Sequence, residues 1–407
     1  MDNEGSTMDI FALIEEEQQR QASGINLIAS ENSVSDNVMR AMGSVFTNKY
    51  AEGYPGKRWY GGCAVTDRIE QYAIDKAKKL FGADHANVQP HSGTSANIGA
   101  YMALLKPGDK VLAFNLSHGG HLSHGAPFNL SGKFFQFIHY GVRKDDGLID
   151  VDEVKRMFKE HKDIKLMVAG ASSYPRAIDF EALASIAREH EAAFMADIAH
   201  ISGLVATGRH PSPVACSDVV TMSTHKTLRG PRGGMVLCKE EHKSAVDRAI
   251  FPGSQGGPLE HIIAAKAVML DEALQPDFKK YIDAVIAAAK ELAKALAAIN
   301  PKRYRVLTGG TDNHMVMIDV TGDGKLNGIQ AEKTLEKQNI YINKNFIPYD
   351  PLPVTVTSGI RLGTPMIVSQ GATAADMGRI AKLMDAALDG KDVAKDVSVF
   401  MKELAKR

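Results

Sequence analysis

The sequence is short of cysteine, with 3 in 407 residues, and has no surplus of either charge, with 48 Lys+Arg against 48 Asp+Glu. Cys63, Cys216 and Cys238 lie far apart, without the close spacing of a zinc or redox motif. That argues against a disulfide-framed fold and for a reducing compartment, the cytoplasm by default. Balanced charge leaves no electrostatic footprint for nucleic acid or for an anionic membrane surface. No segment approaches the length of a transmembrane helix. Met1 to Glu17 has no basic start and does not read as a secretory signal. The sequence also has no internal repeat and no low-complexity tract.

What remains is ordinary globular composition, 44% hydrophobic and 24% charged, in a chain longer than one core usually serves. The expected division is an N-terminal helical arm over 1–45, a large domain over 46–275 and a smaller C-terminal α+β domain over 276–407. Ile10 to Gln21 has helical apolar spacing and needs a surface to pack on. Helical periodicity recurs over Asp67–Phe81, Ser95–Leu105, Val151–His161 and Phe180–His190. Between and after these helices come short apolar runs: Val111–Phe114, Leu166–Ala169, Ala193–Ala196, Val219–Met222 and Met235–Cys238. Strands so uniformly apolar belong to a sheet buried on both faces, hence an α/β fold with a mostly parallel central sheet and helices on each side. Past the Gly/Pro-rich Phe251–Pro258, helices are expected over Leu259–Leu274 and Tyr281–Ile299, then short strands at Arg305–Leu307 and Met315–Asp319. Asn343–Ser358 reads as a long irregular loop, the kind that often carries function.

Several residues carry chemistry. Asp197 ends an apolar strand, where ligands of open α/β sheets collect. It either caps a loop or faces a cation such as a protonated ring nitrogen. Lys226 follows the next strand in Ser223-Thr-His-Lys-Thr227, ahead of the restrictive turn Gly230-Pro-Arg-Gly-Gly234. A loop lysine is usually solvated, but one held this tightly suits Schiff-base chemistry. Ser92-Gly-Thr-Ser95 opens a helix, either as a plain cap or as a phosphate cup. Together the three make the parts of a pyridoxal 5′-phosphate site.

His118, His121 and His124 are spaced around Gly119-Gly120, which breaks any common helical face, and no metal is expected there. A ring stacked on a cofactor suits His121. His118 and His124 are better placed to tie loop carbonyls. Asn48 to Gly62 is dense in aromatics and glycine with one carboxylate, Glu52, and reads either as a packed rigid loop or as a lid with an acid/base group. Arg361, between Gly359 and Gly363, grips a carboxylate or makes a surface salt bridge.

These segments resemble serine hydroxymethyltransferase, of the aspartate-aminotransferase-like fold (fold type I of pyridoxal phosphate-dependent transferases). The resemblance runs from Leu27-Ile-Ala-Ser-Glu-Asn32 to Thr357-Ser-Gly-Ile-Arg-Leu-Gly-Thr-Pro365. It is carried by Tyr50-Ala-Glu-Gly-Tyr-Pro-Gly-Lys-Arg58, His118-Gly-Gly-His-Leu122, Thr224-His-Lys-Thr-Leu-Arg-Gly-Pro-Arg-Gly-Gly234 and Phe251-Pro-Gly-Ser-Gln-Gly-Gly-Pro258.

The resemblance implies interconversion of L-serine and tetrahydrofolate with glycine and 5,10-methylenetetrahydrofolate, with pyridoxal phosphate on Lys226. It implies Asp197 at the ring nitrogen, His121 on the ring face, and Ser172 and His200 near the ring hydroxyl. Ser92, Gly93 and Thr94 would hold the phosphate, with Tyr50 and Gly257 supplied by a partner subunit of a homodimer with shared sites. Arg361 would take the amino-acid carboxylate beside Ser30 and Tyr60. Glu52 would move the proton of the serine hydroxyl, and His225 would bear on reaction specificity. Folate would meet Leu116, Gly120, Leu122, Glu241 and Asn345. Two departures from the family pattern stand out: Trp59 where tyrosine is usual against the folate ring, and Thr94 in place of a common serine. The nearest alternative is a threonine aldolase or an aminotransferase of the same fold; a scaffold or RNA-binding role is disfavoured by the intact chemical set.

Overall fold

A computed structural model describes residues 9–407. The first half of the Met1–Glu17 reading therefore lies outside the described residues. The chain enters through the helix Ile10–Ser23, whose side chains are all exposed or nearly so. Then come β1 (Ile25–Asn26) and the hairpin β2 (Gly53–Tyr54) and β3 (Lys57–Arg58). Seven strands follow: β4 (His85–Asn87), β5 (Lys110–Phe114), β6 (Gln136–Tyr140), β7 (Ile164–Gly170), β8 (Ala193–Asp197), β9 (Val219–Ser223) and β10 (Gly234–Cys238). They form one sheet in the order β4-β10-β9-β8-β7-β5-β6, in which only β10 runs against the others. The C-terminal part adds β11 (Arg305–Val306), β12 (Met315–Asp319), β13 (Ile340–Tyr341), β14 (Asn343–Asn345) and β15 (Gly359–Gly363). There β11-β12-β15-β14 make an antiparallel sheet.

The central sheet is apolar on both faces, and the period of two is visible in its packing. Leu112, Phe114, Met167, Ala169, Phe194 and Ala196 join one core, with Phe158, Phe180 and Leu183 from the covering helices. Their neighbours Val111, Ala113, Leu166, Val168 and Met195 join the core on the other face, against Ala96, Ala100 and Tyr101. Two strands had no such signature. β4 and β6 are the sheet edges, and their polar residues have partners. In β4, His85 and Asn87 both bond Asp247 of the helix Lys243–Arg248, and β6 is half-exposed along most of its length.

Helix bounds shift for local reasons. Ser92 caps the helix Gly93–Leu104 by accepting from the Ser95 N–H at 3.1 Å, so the helix begins two residues before the expected Ser95. The helix Pro276–Ile299 starts at a proline, which suits a first helical position because that N–H has no intrahelical use. Its first half packs in the large core through Phe278, Ile282 and Val285. Its second half packs in the C-terminal core through Leu292 and Leu296. The passage between cores thus falls inside this helix and not at Gln275–Pro276. Ile25 and Leu27 also belong to the C-terminal core, because β1 pairs with β13 in parallel. The expected loop Asn343–Ser358 begins as β14 and then runs irregularly.

Candidate active site

The parallel strands β5, β7, β8 and β9 all deliver residues to one edge of the sheet, at their carboxyl ends. A cavity of about 240 Å³ opens there, lined by Ser30, Ser92, Gly93, Thr94, Asn97, His121, Ser172, Asp197, His225, Lys226 and Arg232. Sequence reasoning named all of these except Asn97 and Arg232.

Asp197 is the last residue of β8 and is buried. Its Oδ2 accepts from Asn97 Nδ2 at 2.8 Å and from His124 Nε2 at 3.0 Å, and its Oδ1 accepts from the Ala199 N–H at 2.9 Å. Burial alone would raise the carboxyl's pKa. The hydrogen bonds from His124 and Asn97 outweigh it and hold the group well below the usual carboxylate range. His124 was expected to tie loop carbonyls, but this nitrogen serves Asp197 instead. The His121 N–H points at His124 Nδ1 from 3.4 Å, which places the ring proton on Nε2, toward the carboxylate. Asn97 is fixed in turn by Thr221 Oγ1, at 2.5 Å from its Oδ1, and by Ser123. His118 does bind a loop, but by accepting from the Val142 N–H.

Lys226 sits three residues past β9 and is 8% exposed. Burial draws its ammonium down to about 8; Asp197 opposes this, and Arg361 and Arg232 add to it. Its loop is rigid. Thr224 donates from N to Gly233 O and from Oγ1 to Pro231 O, and Asn32 Nδ2 donates to Lys226 O at 2.8 Å. His225 lines the same cavity with a buried Nδ1 that meets no partner among the described residues. Burial, then Arg232 and Lys226, draws its pKa down to about 3. Burial likewise draws His121 down to about 4, helped by His124, so its ring is neutral.

The cup is a cradle in the literal sense. A Cβ on Gly93 would lie 2.7 Å from Ser223 Oγ, so the backbone at the helix start stays bare. The buried Asp197 carboxylate, a lysine of lowered pKa, the uncommitted His225 nitrogen and this bare helix terminus all fit pyridoxal phosphate.

Arg361 reaches the site from β15. It donates to Ser172 O at 2.6 Å and to Asn343 Oδ1 at 3.1 Å, which leaves Nη2 uncommitted among the described residues. Burial lowers its pKa to about 10. His200 contacts His314: its Nδ1 lies 3.2 Å from His314 Nε2 and the rings stack. The cavity wall next to it is Ala199. His314 was not foreseen; its only signal was Thr311-Asp-Asn-His314 just before β12.

Glu52 and Tyr60 do not join Arg361 within the chain. They cluster with Tyr50 and Gly257 outside the cavity. Tyr50 OH donates to Glu52 Oε1 at 3.2 Å, the Tyr50 and Tyr60 rings lie 5.0 Å apart, and Gly257 rests on the Tyr50 ring. Of the expected folate contacts, Leu116, Gly120 and Leu122 follow β5, and Asn345 accepts from Ser173 Oγ at 3.0 Å. Glu241 is elsewhere. Because β10 runs backward, with Cys238 beside Val219, Glu241 falls at the opposite edge of the sheet beside His242. It does not enter the Lys226 site of its own chain.

A mostly parallel sheet with a strand-end lysine, a strand-end carboxylate and a bare helix N-terminus at one edge defines a pyridoxal phosphate-dependent enzyme of the α/β type. The family model of serine hydroxymethyltransferase matches residues 4–384, and the chain belongs to that family. Its function is the reversible transfer of a hydroxymethyl group between L-serine and tetrahydrofolate, giving glycine and 5,10-methylenetetrahydrofolate, with pyridoxal phosphate as cofactor. The threonine aldolase alternative has no better support. Among the described residues no helix is long and apolar enough to cross a membrane.

Proposed function

We propose that Lys226 holds the cofactor, with Asp197 at its ring nitrogen, His121 on its face and the Ser92–Thr94 cup on its phosphate. The observation that carries this is the convergence of Asp197, Lys226 and the cup on one 240 Å³ cavity. When bound, pyridoxal phosphate supplies a ring that takes up the negative charge developing at the amino-acid α-carbon. Asp197, kept ionised by His124 and Asn97, holds the proton on the ring nitrogen that this requires. Arg361 orients serine through its carboxylate, beside Ser30 and Ser172. Its uncommitted Nη2 is the donor available for that carboxylate.

Glu52, Tyr50, Tyr60 and Gly257 act on the site of a second copy, in a homodimer. Their common cluster away from their own Lys226 cavity supports this. Glu52 moves the hydroxyl proton as the carbon–carbon bond breaks. Tetrahydrofolate lies along Leu116–Leu122 and Asn345, with the exposed Trp59 of the hairpin against it. Three unpaired, buried cysteines support a cytoplasmic setting.

Borohydride reduction followed by peptide mapping tests the assignment, which expects the label on Lys226; a label on another lysine overturns it. Glycine formation from serine, measured with and without tetrahydrofolate, separates folate-dependent transfer from aldolase chemistry.

A further inference from the structure

Lys266, in the helix Glu260–Ala273, is used by none of the chemistry above, yet it is 1% exposed. A lysine on a packed helix normally threads its stem outward to keep its charge in water. This one points inward. Its Nζ donates to three backbone carbonyls: Val88 O at 2.6 Å, Gly234 O at 2.8 Å and Pro90 O at 3.0 Å. Three carbonyl acceptors take up all three donors of an ammonium. Burial draws Lys266 down to about 7, with the Glu70 charge opposing. The three carbonyl contacts favour the charged form and oppose that fall.

The carbonyls belong to two neighbouring segments, the exit of β4 and the start of β10, which pairs with it. Val88 and Pro90 lie on the strand exit from β4 into the Ser92–Thr94 cup. Gly234 closes the turn that follows Lys226. The two segments share one backbone bond, Gly234 N–H to Pro90 O at 3.0 Å, and the same turn accepts the Thr224 N–H through Gly233 O. Without the ammonium, three carbonyl oxygens would face one another in a dry interior, which a protein relieves by moving the loops apart.

We propose that Lys266 is a positioning residue for the phosphate half of the site: its buried ammonium sets the spacing of the Ser92–Thr94 cup from Lys226 and places positive charge behind the cup. This rests on the cofactor reading above. A residue that merely held the fold together would weaken every ligand alike; a residue that sets the cup weakens ligands in proportion to their use of the phosphate.

The test uses the full chain freed of cofactor, as wild type and as Lys266→Met, titrated with pyridoxal phosphate, pyridoxal and inorganic phosphate. Absorbance follows the two aldehydes and calorimetry follows phosphate. Loss of the pinned geometry is expected to weaken pyridoxal phosphate and inorganic phosphate by about ten- to a hundredfold, and pyridoxal by about twofold or less. A folded variant that keeps wild-type affinity for pyridoxal phosphate, or that loses pyridoxal equally, overturns the proposal. If Lys266→Met does not fold, Gly233→Ala takes its place. A Cβ there would lie 2.7 Å from Lys266 Cε and 3.1 Å from Nζ, displacing the ammonium. The same selective loss is expected, and unchanged affinity for pyridoxal phosphate overturns the proposal. Wild-type protein that binds pyridoxal as tightly as pyridoxal phosphate would refute the cup reading itself, a separate result.

Discussion

The Lys226 cavity and the Tyr50–Gly62 hairpin are both rich in chemical groups, but they are built on opposite terms. The cavity is buried and finished within one chain: every polar group that faces Asp197 comes from the same sheet edge or the helix above it. The hairpin is firm along its strands and bare at its open end. Arg58 locks the strands, donating to Ala51 O, Gly53 O, Asp67 and Glu70. At the open end, Tyr50, Trp59 and Tyr60 are 53%, 78% and 47% exposed. Exposed aromatics on a rigid mount mark a surface that awaits a partner. On the proposed reading, the Asp197–Lys226 centre is assembled within one chain, while Glu52 and the Tyr50–Gly257 contacts are contributed by a second.

Mutations can break or sharpen this contrast. The largest effect is expected at Lys226→Ala, which removes the attachment point: turnover falls by roughly a thousandfold or more, and the visible absorbance of the cofactor shifts or disappears. Glu52→Gln is expected to lower kcat by about a hundredfold while the cofactor spectrum and affinity stay as in wild type. A changed spectrum would mean that Glu52 bears on the cofactor itself and not only on the hydroxyl proton. Arg361→Lys keeps the charge but loses the planar fork, so KM for serine should rise about tenfold with a smaller change in kcat. The smallest effect is a pH signature. Free Lys226 is drawn down to about 8 by burial, so its neutral, nucleophilic fraction grows as pH rises through 8. Stopped-flow capture of pyridoxal phosphate should accelerate with an inflection near that pH; an inflection in the ordinary lysine range would mean that the amine is solvated.

The division between what was legible in the sequence and what was not follows the same line. Interior strands announced themselves because both faces are apolar, as in Val111–Phe114 and Leu166–Ala169. The edge strands β4 and β6 did not, because their polar residues find partners that no periodicity reveals. Lys226, Asp197 and the Ser92–Thr94 cup were legible from strand ends and a helix start. Their supports were not: Asn97 and His124 are ordinary residues until the fold aims them at Asp197, and Lys266 reads as one more helix lysine. Glu241 lies far from its own chain's Lys226 cavity because β10 reverses, which sequence does not show. Glu52 and Tyr60 were grouped with Arg361 by family resemblance, a grouping that one chain alone does not make.

Subunit complementation tests the two-chain claim most directly. Lys226→Ala and Glu52→Gln proteins, each nearly inactive, are mixed in equal amounts and allowed to exchange subunits. Every hybrid dimer then holds one site with both Lys226 and Glu52 intact, so activity should recover to about a quarter of wild type. No recovery, with hybrid dimers demonstrably formed, would mean that Glu52 serves the cavity of its own chain and would contradict the account.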